Sequence, residues 1–123
     1  LPPHLLHDVL AFASMVIGDS QTVTAEAAVL GVPCLRCNTF VGRITYLEEL
    51  EKRFELTKGF LPSETENLIL TVQEWLADLD NVKRDMRCKK DRMLGMCVNL
   101  TDWQWRMLCE KLYSPSQKGA QGL

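Results

Sequence analysis

Four side chains in one short stretch have the types and spacing for phosphate and sugar chemistry. Ser20, Gln21 and Thr22 follow Gly18-Asp19 directly, and Glu26 comes four residues after Thr22. Hydroxyls and amide N–H groups at the start of a helix offer hydrogen bonds and the positive end of the helix dipole to a diphosphate. A carboxylate one turn further on has the reach to accept hydrogen bonds from the vicinal hydroxyls of a ribose. The same pattern has a plainer reading, in which small alanines seat a helix on a sheet and an early acidic residue complements its dipole. Two arginines, Arg36 and Arg43, flank the stretch that also holds Asn38. They have the fork geometry for phosphate or a sugar carboxylate, and ordinary surface arginines are the alternative.

Other groups point to chemistry less directly. His4 and His7 are three apart with Asp8 beside them, a set that suggests acid–base or metal work but lacks a third ligand or a nucleophile. Cys34-Leu35-Arg36-Cys37 has CxxC spacing. It has no second ligand pair for zinc, and it sits where a strand is expected rather than at the helix start a redox motif needs. No metal site and no cofactor is therefore expected.

The elements that must position these residues follow from local signals. Met15-Val16-Ile17 is a short apolar run that stops at Gly18, as a strand entering a tight turn does. Ser20 or Asp19 caps a helix rich in Ala25, Ala27, Ala28 and Leu30, and Gly31-Val32-Pro33 stops it before a strand at Cys34-Leu35. This is a parallel strand–helix–strand unit. Residues 36–43 then form a loop at the carboxyl end of the second strand, where open α/β sheets bind ligands.

Around this unit the pattern predicts an amphipathic helix over 5–13 with Leu5, Leu6, Val9, Leu10 and Ala13 on one face. A helix over 44–54 turns Leu47 and Leu50 inward and leaves Glu48, Glu49 and Glu51 as a solvated face, and a last short strand lies within 56–60. Ser63 with Glu66 reads as a capping box for a helix carrying Leu68, Ile69, Val72, Trp75, Leu76 and Leu79. A basic helix follows over 81–94. Thr101 to Gln104 reads as a second capping box, for a helix to Tyr113 that is apolar nearly all round and calls for burial on more than one side.

Asp19-Ser20, Glu26-Ala27 and Gly31-x-Pro33 resemble the nucleotide-binding signature in the C-terminal domain of GT-B-fold enzymes, notably UDP-N-acetylglucosamine 2-epimerases and related glycosyltransferases. A wider set is similar to the domain of unknown function 354 family. It comprises Pro3, His7-Asp8, the run Gly18 to Gly31, Asn38, Phe40 to Arg43, and Tyr46 to Glu51. The resemblance implies a Rossmann-like, three-layer α/β fold and a two-domain parent of which this is a C-terminal part. It further implies a UDP-sugar as ligand, with the diphosphate on Ser20, Gln21 and Thr22 and the ribose on Glu26. The epimerases carry two glycines where this chain has Gln21-Thr22.

Composition sets the outer bounds. With 123 residues, 46% hydrophobic and 24% charged, the chain suits one globular domain over residues 1–113, with a short, mainly parallel sheet and extra C-terminal helices. Residues 114–123 are Ser-, Gly- and Gln-rich and read as a disordered tail. A formal net charge of −2 argues against a nucleic-acid partner, and the basic helix over 81–94 reads as a solvated face. No run is long and apolar enough for a membrane span, and the first residues lack a secretory layout. Five cysteines without framework spacing suggest free thiols and a cytoplasmic protein. Asn99-Leu100-Thr101 matches a glycosylation acceptor but reads more simply as the approach to a helix cap. The start at Leu1-Pro2-Pro3 suggests a piece whose partner is a missing N-terminal domain or a second copy. A non-catalytic interaction module working through its Trp-rich last helix is the rival to nucleotide-sugar binding.

Overall fold

A computed structural model describes residues 2–113. The chain is α/β and mostly helical, built on a small three-stranded sheet. A 3-10 turn (Pro3–Leu5) leads into α1 (Leu6–Phe12); β1 (Val16–Gly18), α2 (Gln21–Leu30) and β2 (Cys34–Cys37) follow. Next come α3 (Thr45–Glu48), running on as a π-helical stretch over Glu49–Arg53, and β3 (Lys58–Phe60). Three helices complete the chain: α4 (Thr65–Ala77), α5 (Leu79–Met96) and α6 (Leu100–Tyr113). The strands are parallel in the order β1-β2-β3, with Gly18 beside Arg36 and Arg36 beside Gly59.

β2 is the central strand, and Cys34, Leu35 and Arg36 are all buried. That is the signature of a parallel strand covered on both faces. Alternation puts Cys34 and Arg36 on one face, where the Cys34 thiol reaches the Thr24 carbonyl of α2. Lys58, in register with Leu35, leaves from the other face and lies over the Trp75 ring of α4. Ala27 and Ala28 of α2 are fully buried, the close seating that small side chains allow. α2 ends at Gly31 in the left-handed conformation, φ 75°, which a Cβ would strain. Lys90 of α5 crosses there, 3.1 Å from where that Cβ would lie. The core gathers Leu47, Leu50, Phe54, Leu56, Trp75, Met86 and Met93 around the sheet.

Several sequence expectations need correction. The apolar face expected over 5–13 is only partly used: Leu10 is buried and Leu6 and Ala13 are half-buried, while Leu5 and Val9 stay exposed; Phe12, outside that face, is exposed as well. The second strand continues through Arg36 and Cys37, so these two are not in the loop. Glu48 and Glu51 do not face solvent as expected. Glu48 accepts a hydrogen bond from Gly42 N–H at 2.9 Å and pairs with Lys52, and Glu51 faces Arg36. Neither capping box forms as expected, and in each case a single capping hydrogen bond lies two residues earlier. Pro62 starts a 3-10 turn whose Glu64 accepts from Leu61 N–H at 2.8 Å, so α4 begins at Thr65 without Ser63 as its cap. Asn99, a stronger cap than Thr101, accepts from Asp102 N–H at 3.2 Å and opens α6. The tail expected at 114–123 lies outside the described residues.

Candidate functional site

The carboxyl ends of β1 and β2 open onto a depression of about 600 Å³. Its lining comes from Asp19 to Thr22 on one side, Cys37 to Phe40 on the other, and Pro62. Ser20 is the N-cap of α2, its extended backbone ending the turn and its hydroxyl accepting from Val23 N–H at 3.3 Å. Thr24 donates its own hydroxyl back to the Ser20 carbonyl at 2.7 Å. With Val23 and Thr24 N–H both directed to Ser20, the leading N–H groups of Gln21 and Thr22 are those that helix geometry leaves for an outside acceptor.

Asn38 fixes the two sides of the depression to each other. Its amide donates to the Asp19 carbonyl at 2.8 Å, and its oxygen accepts from Phe40 N–H at 3.0 Å. Since Asp19 directly precedes the cap, this one side chain ties the start of α2 to the loop after β2. The loop is anchored a second time by the bond from Gly42 N–H to Glu48. Gly42 takes φ 81° there, a glycine conformation. The Glu48 carboxyl is held below its ordinary range, chiefly by its hydrogen bond with Lys52 and further by Gly42 N–H.

The structure brings Ser20, Gln21, Thr22 and Asn38 together, and it places Glu26, Arg36 and Arg43 outside the lining of that depression. Glu26 lies further along α2, and its Oε2 is 3.5 Å from His7 Nε2 on α1. In sequence the carboxylate nearest His7 is Asp8, and nothing local shows that α1 packs beside α2. Arg43 is exposed, in the loop after Gly42. Arg36 is 1% exposed, its Nη2 is 3.9 Å from Glu51 Oε2, and its three guanidinium nitrogens have no hydrogen-bond partner in the chain. The guanidinium lies over Gly59, whose missing Cβ would fall 2.9 Å from Nη2. Gly59 is therefore the counterpart of Arg36 across the β2–β3 ladder. A glycine in a predicted strand was the signal for such a close approach.

A second cavity of about 680 Å³ runs beside β3, walled by Glu51, Thr57 to Phe60, Trp75 and the first half of α5. Nothing periodic in the sequence announced it, because its wall draws on distant segments. Burial pushes the Cys34 thiol up to about 11, against smaller opposing effects of Thr57 and Arg36, which disfavours the reactive thiolate. Among the described residues no group of three or more His, Cys, Asp or Glu side chains is placed to hold a metal ion, and no helix is long and apolar enough to cross a membrane. No protein-family model, curated protein or solved structure matches this chain.

Proposed function

We propose that this chain is the nucleotide-recognising part of a GT-B-like protein acting on a nucleotide-linked sugar, most simply a UDP-sugar. The observation that carries the reading is the depression at the carboxyl ends of two parallel strands, with the capped N-terminus of α2 opening into it. Ligands of Rossmann-like, three-layer α/β domains sit at that edge. The Gln21 and Thr22 amides, the Thr22 hydroxyl and the helix dipole would hold a diphosphate and stabilise it as it gains charge when the glycosyl bond weakens. Asn38 supports this from behind, keeping both walls in register. Glu26 takes the nucleoside on the strength of the family resemblance, and in doing so exchanges its contact with His7 for the ribose hydroxyls. Arg43 lies on the exposed loop from which it reaches a phosphate or sugar carboxylate. Arg36 acts from inside the sheet. The acceptor and the bond-breaking chemistry belong to a second domain, so the chain by itself binds without turnover. Free thiols at all five cysteines support a reducing, cytoplasmic setting.

The test is a backbone-amide NMR titration of the chain with UDP and then with other nucleoside diphosphates. Saturable shifts at Gln21, Thr22 and Asn38 are expected, with Glu26→Ala weakening UDP while the fold is kept. A well-folded chain whose amides do not move at millimolar UDP refutes nucleotide binding by this domain. Affinity unchanged by Glu26→Ala removes the ribose assignment alone.

A further inference from the structure

The cavity beside β3 is where the chain carries several unusual local features at once. Glu55 in its wall holds a left-handed backbone, φ 55°, which non-glycine residues adopt rarely. Glu51, in the same wall, comes from the π-helical stretch, a form found mostly at functional positions. Its Oε2 is buried without a hydrogen-bond partner, as is Arg36 Nη2, 3.9 Å away. Features of this kind gather at ligand sites. The edge of β3 supplies recognising groups. Asn38 N–H donates to the Phe60 carbonyl at 3.2 Å, and the parallel register sets Arg36 beside Gly59. In such a ladder Lys58 and Phe60 bond to β2, while the N–H and C=O of Gly59 point away from it. β3 is the last strand of the sheet and Gly59 lines the cavity. A backbone donor and acceptor therefore stand side by side on the cavity wall, with no partner elsewhere in the described backbone.

We propose that this cavity binds an uncharged planar ring with a hydrogen-bond donor next to an acceptor, the edge that nucleobases present. The ring's donor meets the Gly59 carbonyl and its acceptor meets the Gly59 N–H. Its body lies against the apolar surface that Trp75 gives from α4 and Val82 and Met86 give from α5. Size agrees, since about 680 Å³ is within the range of small-molecule sites. Charge agrees as well. The carboxylates of Glu51, Glu55 and Asp85 stand against Lys58, Lys89 and the Arg36 guanidinium behind Gly59. Lys89 itself reaches Asp85 at 2.6 Å and Glu55 at 3.6 Å. The wall is thus neutral and gives a phosphate group no net attraction. An extended peptide fits less well, because β3 turns one residue outward and α5 stands on the far side of the cavity, which leaves no ladder for a strand to extend. The site is separate from the depression at α2 and does not rest on the nucleotide-sugar reading.

NMR titration of the full chain with millimolar uracil and 9-methyladenine tests this, each alongside the N-methylated derivative that keeps the ring and lacks the donor. For at least one base, saturable shifts are expected at the Gly59 amide and the Trp75 indole, with NOEs from ring protons to the Met86 methyl. Its methylated derivative should bind at least tenfold more weakly, because the Gly59 carbonyl then loses its partner. Val82→Phe, which fills the cavity from α5, should also weaken binding at least tenfold with unchanged circular dichroism. A folded chain in which neither base moves Gly59 or Trp75 overturns the proposal. So do shifts confined to Gln21, Thr22 and Asn38, which would put the base in the depression at α2. A methylated derivative that binds as tightly as its parent overturns the Gly59 pairing, and undiminished affinity in folded Val82→Phe overturns the location. Free bases carry no diphosphate, so each of these outcomes is independent of the UDP titration.

Discussion

Gly59→Ala isolates the contact between Arg36 and the neighbouring strand. The added Cβ would lie 2.9 Å from Arg36 Nη2, 3.0 Å from Glu51 Oε2 and 3.1 Å from Val41 Cγ1. Gly59 does not need a left-handed backbone, so at an open strand position alanine would stabilise by about 0.4–1 kcal/mol through the unfolded chain. Overpacking opposes this with about 1–3 kcal/mol. The deciding point is whether the crowded atoms can retreat. Nη2 ends a flexible side chain, but that side chain is 1% exposed, and atoms from β2, the π-helical stretch and the loop converge on the same position. Net destabilisation of about 1–2 kcal/mol is expected, read as a lower urea midpoint at constant slope. Arg36→Met removes Nη2 but leaves the Glu51 carboxylate without its cation, so this variant has its own cost and serves as the reference for the second substitution. In that background Gly59→Ala should lose at least about 1 kcal/mol of its cost. An alanine that is neutral or stabilising in the natural chain, or equally costly in both backgrounds, refutes the reasoning.

Asn38→Ala should lower stability by about 1–2 kcal/mol, since it removes two hydrogen bonds, and should speed hydrogen exchange at Phe40. Asn38→Asp should restore the acceptor for Phe40 but not the donor to Asp19, so equal effects of both would refute the clamp. Ser20→Ala should cost about 1 kcal/mol of cap energy and deprotect Val23 N–H, and an unchanged Val23 exchange rate would count against Ser20 as cap. Because the folded Cys34 thiol titrates at about 11 against 9.0 for an ordinary one, stability is complete below pH 9 and falls as pH rises toward 11. Cys34→Ala should flatten that alkaline limb, and a thiol reagent should label exposed Cys88 and Cys97 well before Cys34. Glu48 titrates below its ordinary range, so its contribution is present above that range and is lost as pH falls through the folded value. Glu48→Gln should shift the acid limb in low salt, and an unshifted limb would show that Lys52 does not hold it.

The parallel strand–helix–strand unit was legible because each boundary carries its own chemistry: Gly18 before the turn, Ser20 at the cap, Gly31 and Pro33 after the helix. The place of Ser20, Gln21 and Thr22 at one edge of the depression was legible for the same reason, since local turn geometry alone puts them there. What failed to show were pairings between segments. Arg36 has the look of a surface cation in sequence, and only the register of β2 against β3 reveals that it is buried over a glycine. Glu51 sits in an acidic run that reads as solvated, yet the π-helical stretch turns its side chain back toward Arg36. The displaced caps are a subtler failure. Ser63 and Thr101 satisfy the pattern, but Pro62 and Asn99 start their turns earlier and the residues that follow are already committed.

The buried Arg36 and the loop residue Asn38 act on the same short piece of chain. Arg36 and Asn38 stand on either side of Cys37, one reaching across β2–β3 to Glu51 and the other across β1–β2 to Asp19. Between them they set where β2 ends and where the loop over the depression begins. Val41, in that loop, touches the position a Gly59 Cβ would take, so the packing at β3 reaches the wall formed by Asn38 to Phe40 without any ligand contact of its own. The start of α2 is held rigidly by its cap and by Thr24, whereas the facing wall is held by side chains of its neighbours. A substitution at Gly59 should therefore move the amides of Asn38 and Phe40 while those of Gln21 and Val23 stay in place. Shifts of similar size on both walls would mean that the two move as one body and that Asn38, rather than the sheet, dictates the width of the crevice.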